Sequence, residues 1–147
     1  MAEMAICSLT VILSILGVME CSRALYVEHS INSAAHDAAR YAMVRGAAFA
    51  GTACATTSTY ACDATSSNVT AYVTSILPPG IDTTLLNVTT NWPGTSASGG
   101  ACDTTLGSNS AGCTVQVTLT YPFTFLLPLP STAAIQFKSD AAVTIAQ

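Results

Sequence analysis

Charge is what this sequence has least of. Of 147 residues only four are Lys or Arg and eight are Asp or Glu, for a formal net charge of −4. Three of the cations, Arg23, Arg40 and Arg45, fall in the first third of the chain, and Lys138 stands alone near the end. So thin a basic complement excludes a phosphate-tracking surface and charge-driven recruitment to anionic lipid, and no nucleic-acid partner is expected. Histidine is scarcer still. His29 and His36, two helical turns apart, do not converge on a metal without further ligands. Asp63, Asp82 and Asp103 sit in separate loop-like stretches and lack the alternating carboxylates of a calcium loop. No HExxH, CxxC, P-loop or dinucleotide fingerprint occurs, and no acid pair or nucleophile arrangement stands out. Neither an enzyme nor a cofactor nor a metal is expected.

Two further absences shape the first fifty residues. From Met4 to Met19 there is no charge, and between Gly17 and Gly46 there is neither proline nor glycine. One continuous helix from Met1 to about Ala50 is therefore predicted, with an oily half and a polar half. The oily half (MAICSLTVILSILGVM) is bracketed by Glu3 and Glu20 and is apolar on every side. At ~1.5 Å per residue it covers roughly 24 Å, short of the ~30 Å hydrocarbon core of a bilayer. Met4, Ile6, Leu9, Ile12, Leu13, Ile15 and Leu16 must bury against lipid or against copies of the same helix. A cleavable signal peptide fits poorly, because the residues ahead of the run are Met-Ala-Glu, not basic, and no small-x-small site closes it.

In the polar half, Val27, Ile31, Ala34, Ala38 and Tyr41 or Ala42 recur at steps of three and four, the stripe of a helix that buries one face. Glu20 with Arg23, and Asp37 with Arg40, have the i,i+3 spacing of ion pairs. A helix of fifty residues would be ~75 Å long, more than a domain of about a hundred residues covers, so its oily end should protrude.

Ser and Thr make 36 of the 147 residues, most of them beyond the helix, and the chain is so poor in charge that self-association meets little electrostatic resistance. A second helix is expected from a cap at Ser67 or Asn68, with Val69, Tyr72, Val73, Ile76 and Leu77 on one face, ending at Pro78-Pro79-Gly80. Thr84 to Trp92 alternates as a strand, and Cys113 to Tyr121 does so most clearly, with Val115, Val117, Leu119 and Tyr121 inward. Pro122, Pro128 and Pro130 make Phe123 to Leu129 an edge or a crossing, and a last strand runs from Ile135 to Ile145. The fold class is α+β, a long N-terminal helix with a protruding apolar half (1–50) packed on a small, mostly antiparallel β-rich domain (51–147). Asn68-Val-Thr70 and Asn87-Val-Thr89 match the glycosylation triplet.

Cys54, Cys62, Cys102 and Cys113 lie among Gly, Ser, Thr and Ala, which suits an oxidising compartment. Four cysteines allow three connectivities, and the two short loops, Cys54–Cys62 and Cys102–Cys113, are the pairing expected. Cys7 and Cys21, ~21 Å apart along the helix, cannot bridge within one chain and read as small buried thiols.

The segment Gly17-Val-Met-Glu-Cys-Ser-Arg-Ala-Leu-Tyr26, followed by Asn32-Ser-Ala-Ala-His-Asp-Ala-Ala-Arg-Tyr-Ala42, resembles the TadE-like pseudopilins of tight-adherence pilus systems. Glu20, Arg23, Tyr26, Arg40 and Tyr41 carry that likeness, and Tyr121-Pro-Phe123 with a proline-rich turn and a final strand extends it at the other end. The resemblance implies a type IV pilin-like subunit whose leader is removed by a prepilin peptidase. Inner-membrane assembly machinery would hold its helix in the membrane, then pack it with copies of itself into a filament on the bacterial surface. Glu3 would correspond to the glutamate that neutralises a neighbour's terminal amine. The family usually has that residue fifth in the mature chain and here it is third, which implies either two further residues or different processing. A minor pseudopilin that primes the pilus, or an anchored binding module that never polymerises, are the rival expectations.

Overall fold

The computed structural model describes residues 2–47, 49, 64–104, 110–126 and 134–146. Helix α1, Ala2–Val44, runs without interruption through the oily and polar halves alike and ends just before Gly46. A short helix α2, Ser66–Ile76, follows, and then three strands: β1, Asn87–Asn91, β2, Thr114–Phe123, and β3, Ile135–Thr144. The strands form one antiparallel sheet in the order β1-β2-β3. The architecture is the α+β arrangement expected, a long helix laid on a small antiparallel sheet.

The core lies between the polar half of α1 and the inner face of β2. Val115, Val117, Leu119, Tyr121 and Phe123 alternate inward along β2 and are buried. Against them α1 presents Val27, Ile31, Ala34, Ala38, Tyr41 and Ala42, the stripe read from the sequence, widened by Ala35 and Ala39. Alanines at this contact let the helix backbone approach the sheet closely, and they add helix propensity at no side-chain entropy cost. Val69 and Val73 of α2 close one side of the core and Trp92, 1% exposed, closes another.

Three local expectations are corrected. The cap of α2 is Thr65, not Ser67 or Asn68: its backbone is extended and its Oγ1 accepts a bond from the Asn68 N–H at 3.3 Å. The stop is as expected, with Leu77 extended ahead of Pro78. Pro122 does not end β2. It pairs with Gln136 of β3 at a level that β1, whose last partner is Thr120, no longer reaches. There the central strand has a neighbour on one side only, which is the position a residue lacking an N–H tolerates, and Phe123 belongs to the strand. Cys7 and Cys21 are thiols, but exposed ones: Cys7 lies on the uncovered run, and Cys21 is exposed although its neighbour Glu20 is buried.

Cys102 and Cys113 are bonded, with Cα atoms 5.9 Å apart, and so fasten the loop after β1 to the start of β2. The same corner is tightened by Gly112, whose φ of 94° and position leave no room for a side chain: a Cβ would lie 2.6 Å from the Ala97 nitrogen. Cys54, Cys62, Asp63, Pro128 and Pro130 lie outside the described residues.

Replacing Cys102 and Cys113 by Ala should lower the unfolding free energy by about 2–4 kcal/mol, since the bridge restricts a loop with few apolar groups to bury. Urea denaturation followed through Trp92 fluorescence measures it, with the midpoint shifting downward.

Candidate functional site

Among the described residues, the uncharged run from Met4 to Met19 is left almost wholly uncovered. Met4 is 78% exposed, and Ile6, Leu9, Ile12, Leu13, Ile15, Val18 and Met19 are all more than half exposed; only Leu16 and Gly17 are partly shielded. By length and composition α1 as a whole could cross a membrane, and, unlike a core helix, almost none of its most apolar part is buried. Its few hydroxyls are satisfied from within. Ser8 Oγ donates to the Ala5 carbonyl at 2.9 Å, Thr10 Oγ1 to Cys7 at 2.8 Å and Ser14 Oγ to Thr10 at 2.8 Å. Because these side chains are bonded back onto the helical backbone, their hydroxyls present no unmet donor to a hydrocarbon environment.

The apolar run ends in a charged clasp. Glu20, only 8% exposed, receives Arg23 Nη2 on one carboxylate oxygen at 3.0 Å and the Leu126 N–H on the other at 3.3 Å. Arg23 Nη2 also donates to the Thr124 carbonyl, and the guanidinium lies over the Phe123 ring, 4.7 Å from its centroid. Phe123 in turn meets Phe125 edge-on at 5.2 Å and Phe137 at 5.4 Å. Among the described residues the buried Arg23 Nε has no hydrogen-bond partner, and the aromatic face beneath the guanidinium contributes to offsetting its desolvation. The chain leaving β2 is thereby strapped to the first turn after the oily run.

The other motif residues go separate ways. Tyr26 is half exposed, its hydroxyl 3.5 Å from the Pro79 carbonyl. Tyr41 is buried and stacks on Tyr72 with centroids 4.3 Å apart, while Arg45 lies 4.2 Å over the Tyr41 ring. Arg40 is exposed, and among the described residues it forms no ion pair with Asp37 despite the spacing that suggested one. Glu3 is exposed at the far end of α1, ~26 Å from Glu20 along the axis. The partners of Glu20 and Arg23, namely Thr124, Leu126 and the Phe123 ring, escaped sequence reasoning. Tyr121-Pro-Phe123 was the available signal, but no spacing rule connects it to residues a hundred positions earlier.

His29 and His36 are exposed, and no group of three His, Cys, Asp or Glu among the described residues could hold a metal. His29 and Glu28 line an open groove of about 670 Å³ between α1 and β3 with Lys138 and Asp140. Its walls are joined by Ser139 Oγ donating to Asn32 Oδ1 at 3.0 Å. Two of its charged groups engage each other: Lys138 Nζ meets Asp140 Oδ2 at 3.0 Å, and Thr118 Oγ1 donates to Asp140 Oδ1. The Thr118 hydroxyl first, and Lys138 second, hold the Asp140 carboxyl below the usual carboxylate range.

The apolar run and the glutamate–arginine turn that closes it are the features a family assignment has to explain. Residues 1–40 match the family model of TadE-like proteins. The TadE-like segment takes in the uncovered run and Glu20, Arg23, Tyr26 and Arg40; Tyr41, the sheet and Tyr121-Pro-Phe123 lie beyond it. No curated protein and no solved structure matches the chain. The match associates the TadE-like segment with Tad pilus systems, and its uncovered apolar helix fits an anchor in a membrane.

Glu20→Ala removes both the Arg23 partner and the acceptor of the Leu126 N–H. It should cost about 1–2 kcal/mol, modest because Arg23 is partly solvated, and speed hydrogen exchange at the Leu126 amide well beyond the change at Val117. Thr118→Val should raise the Asp140 pKa toward its ordinary value, read by carboxyl NMR titration. Since the folded value lies below the unfolded one, the bond stabilises above the unfolded pKa and is lost as pH falls through the folded one. The variant's stability should therefore depend less on pH across that acid window.

Proposed function

We propose that this chain is a structural subunit of an extracellular type IV pilin-like filament, held in the inner membrane by α1 before assembly. Met1 to Met19 would form the filament core by helix-on-helix packing, and the domain beyond Ala50 its coat. The observation that carries the proposal is the uncovered apolar half of α1 leaving one end of a folded domain. Burying a single Leu or Ile side chain contributes about 1.5–3 kcal/mol, so several along one helix give a large drive toward lipid or toward neighbouring helices. The match of residues 1–40 to TadE-like proteins supports the same direction. The handlers of such a subunit would be a prepilin peptidase and a pilus assembly machine. No catalytic role belongs to this function.

That match is equally at home with a minor pseudopilin that primes a pilus built from another subunit. Mass spectrometry of filaments sheared from cells separates the two: a major subunit dominates the protein recovered, and a trace amount assigns the minor role. Full-length protein that stays monomeric in detergent-free buffer with its helix intact would count against polymerisation altogether and leave an anchored binding module.

Within the filament Glu3 would pair with a neighbour's terminal amine. An unpaired carboxylate in hydrocarbon costs at least ~2.5–3.5 kcal/mol, and a fixed partner offsets that. Glu3→Ala should therefore cut filament yield sharply while the domain keeps its unfolding midpoint, because Glu3 is remote from the core. Unchanged yield in a shearing assay would show that Glu3 has no part in assembly.

A further inference from the structure

We propose that the end of the sheet beside the apolar helix, at Leu126 and Ile135, is a second membrane-contacting site that seats at the headgroup level of the bilayer. The inference rests on the membrane-anchored state proposed above and adds to it a contact made by the folded domain itself.

Phe123 and Ile135 are the last pair of the β2–β3 ladder, so both strands present this end together. Leu126, three residues past Phe123, is fixed in place by its N–H bond to Glu20, the first residue after the oily run. Wherever the end of that run lies in a membrane, Leu126 lies at nearly the same depth. It is 78% exposed, and Ile135, Met19 and Leu25 are exposed too, so the apolar surface of α1 continues sideways onto the sheet.

Length sharpens this. The uncharged run covers ~24 Å against a core of ~30 Å, and a span that is too short thins the bilayer locally or draws its flanking residues inward. The flanking residues on the domain side are Glu20 and Arg23. Their charges are answered by each other, by the Thr124 carbonyl, by the Leu126 N–H and by the Phe123 face. A clasp with its charges already met approaches the headgroups with little further desolvation, and it carries Leu126 and Ile135 with it. Arg40 and Arg45 lie towards the far end of α1, and the charge of Lys138, three residues along β3 from Ile135, is met by Asp140 at 3.0 Å. The contact is therefore apolar and indifferent to lipid charge, unlike a polybasic surface.

The test uses the full chain in phosphatidylcholine vesicles with bromine at defined depths along the acyl chains, and three variants, I15W, L126W and S98W. Trp92, buried at the far end of β2 from Leu126, serves as an internal reference in each. Ser98 is exposed in a turn by the bridge of Thr95 to Ala101, also at that far end, and controls for tryptophan's own affinity for interfaces. Expected are quenching of I15W by deep bromines and roughly twofold quenching of L126W by bromines nearest the headgroups. S98W should be unquenched, and adding salt or anionic lipid should change none of these. Quenching of I15W without L126W overturns the second contact and leaves the anchor standing. Absence of quenching in I15W removes the anchor and the second contact with it. Equal quenching of S98W and L126W, or an L126W emission that shifts only on polymerisation and is never quenched by lipid, likewise overturns the proposal, the last by assigning the patch to a neighbouring copy.

Discussion

A mismatch of lengths governs this molecule. The 43 residues of α1 extend ~65 Å, whereas strands of ten residues extend ~34 Å, so the sheet can cover only about half of the helix. The sequence places its polar, alanine-rich half where cover exists and its apolar half where it does not. In an isolated soluble protein the reverse would be required. The uncovered half is thus a surface made for another environment, and its back-bonded hydroxyls at Ser8, Thr10 and Ser14 show the same adaptation at the level of single groups.

The boundary between the halves is where this arrangement is most exposed to error, since a helix that continues past its domain could pivot. Glu20 and Arg23 remove that freedom. Both sit within the first turn past the oily run, and both reach across to the segment leaving β2, so the direction of the projecting helix is tied to the sheet through Leu126, Thr124 and Phe123. A charged pair is suited to this position: Glu20 is buried but its two oxygens are met by Arg23 and the Leu126 N–H, Arg23 keeps partial contact with water, and the directional bonds fix geometry that apolar contact alone would leave loose.

One surface can then meet two environments. Lipid and the apolar helices of neighbouring copies are chemically similar, so transfer between them need not change the net hydrophobic term greatly, and small specific groups decide the preference. That is compatible with a chain that resides first in a membrane and later in a filament. The scarcity of charge on the domain works in the same sense, because close approach of copies meets little repulsion.

The helix, its two halves, the buried stripe from Val27 to Ala42 and the inward alternation of β2 were legible in the sequence, because each is a periodicity within one segment that burial then enforces. The fold class followed from them, as did the protrusion, which is only a comparison of lengths. Errors were local or long-range. Thr65 in place of Ser67 or Asn68 is a shift of a cap among residues that all accept a bond, and the choice depends on which backbone is extended. Pro122 continued a strand because β1 happened to stop short, a fact about a neighbour and not about Pro122. The clasp of Glu20 and Arg23 with Thr124 and Leu126 joins positions about a hundred residues apart, and only the packing of α1 on the sheet brings them together. Sequence alone thus determined which surfaces are apolar and which segments are regular, since those are properties of neighbours along the chain; the tertiary structure alone decided which distant groups meet, because that depends on where each strand ends and how far the helix is covered.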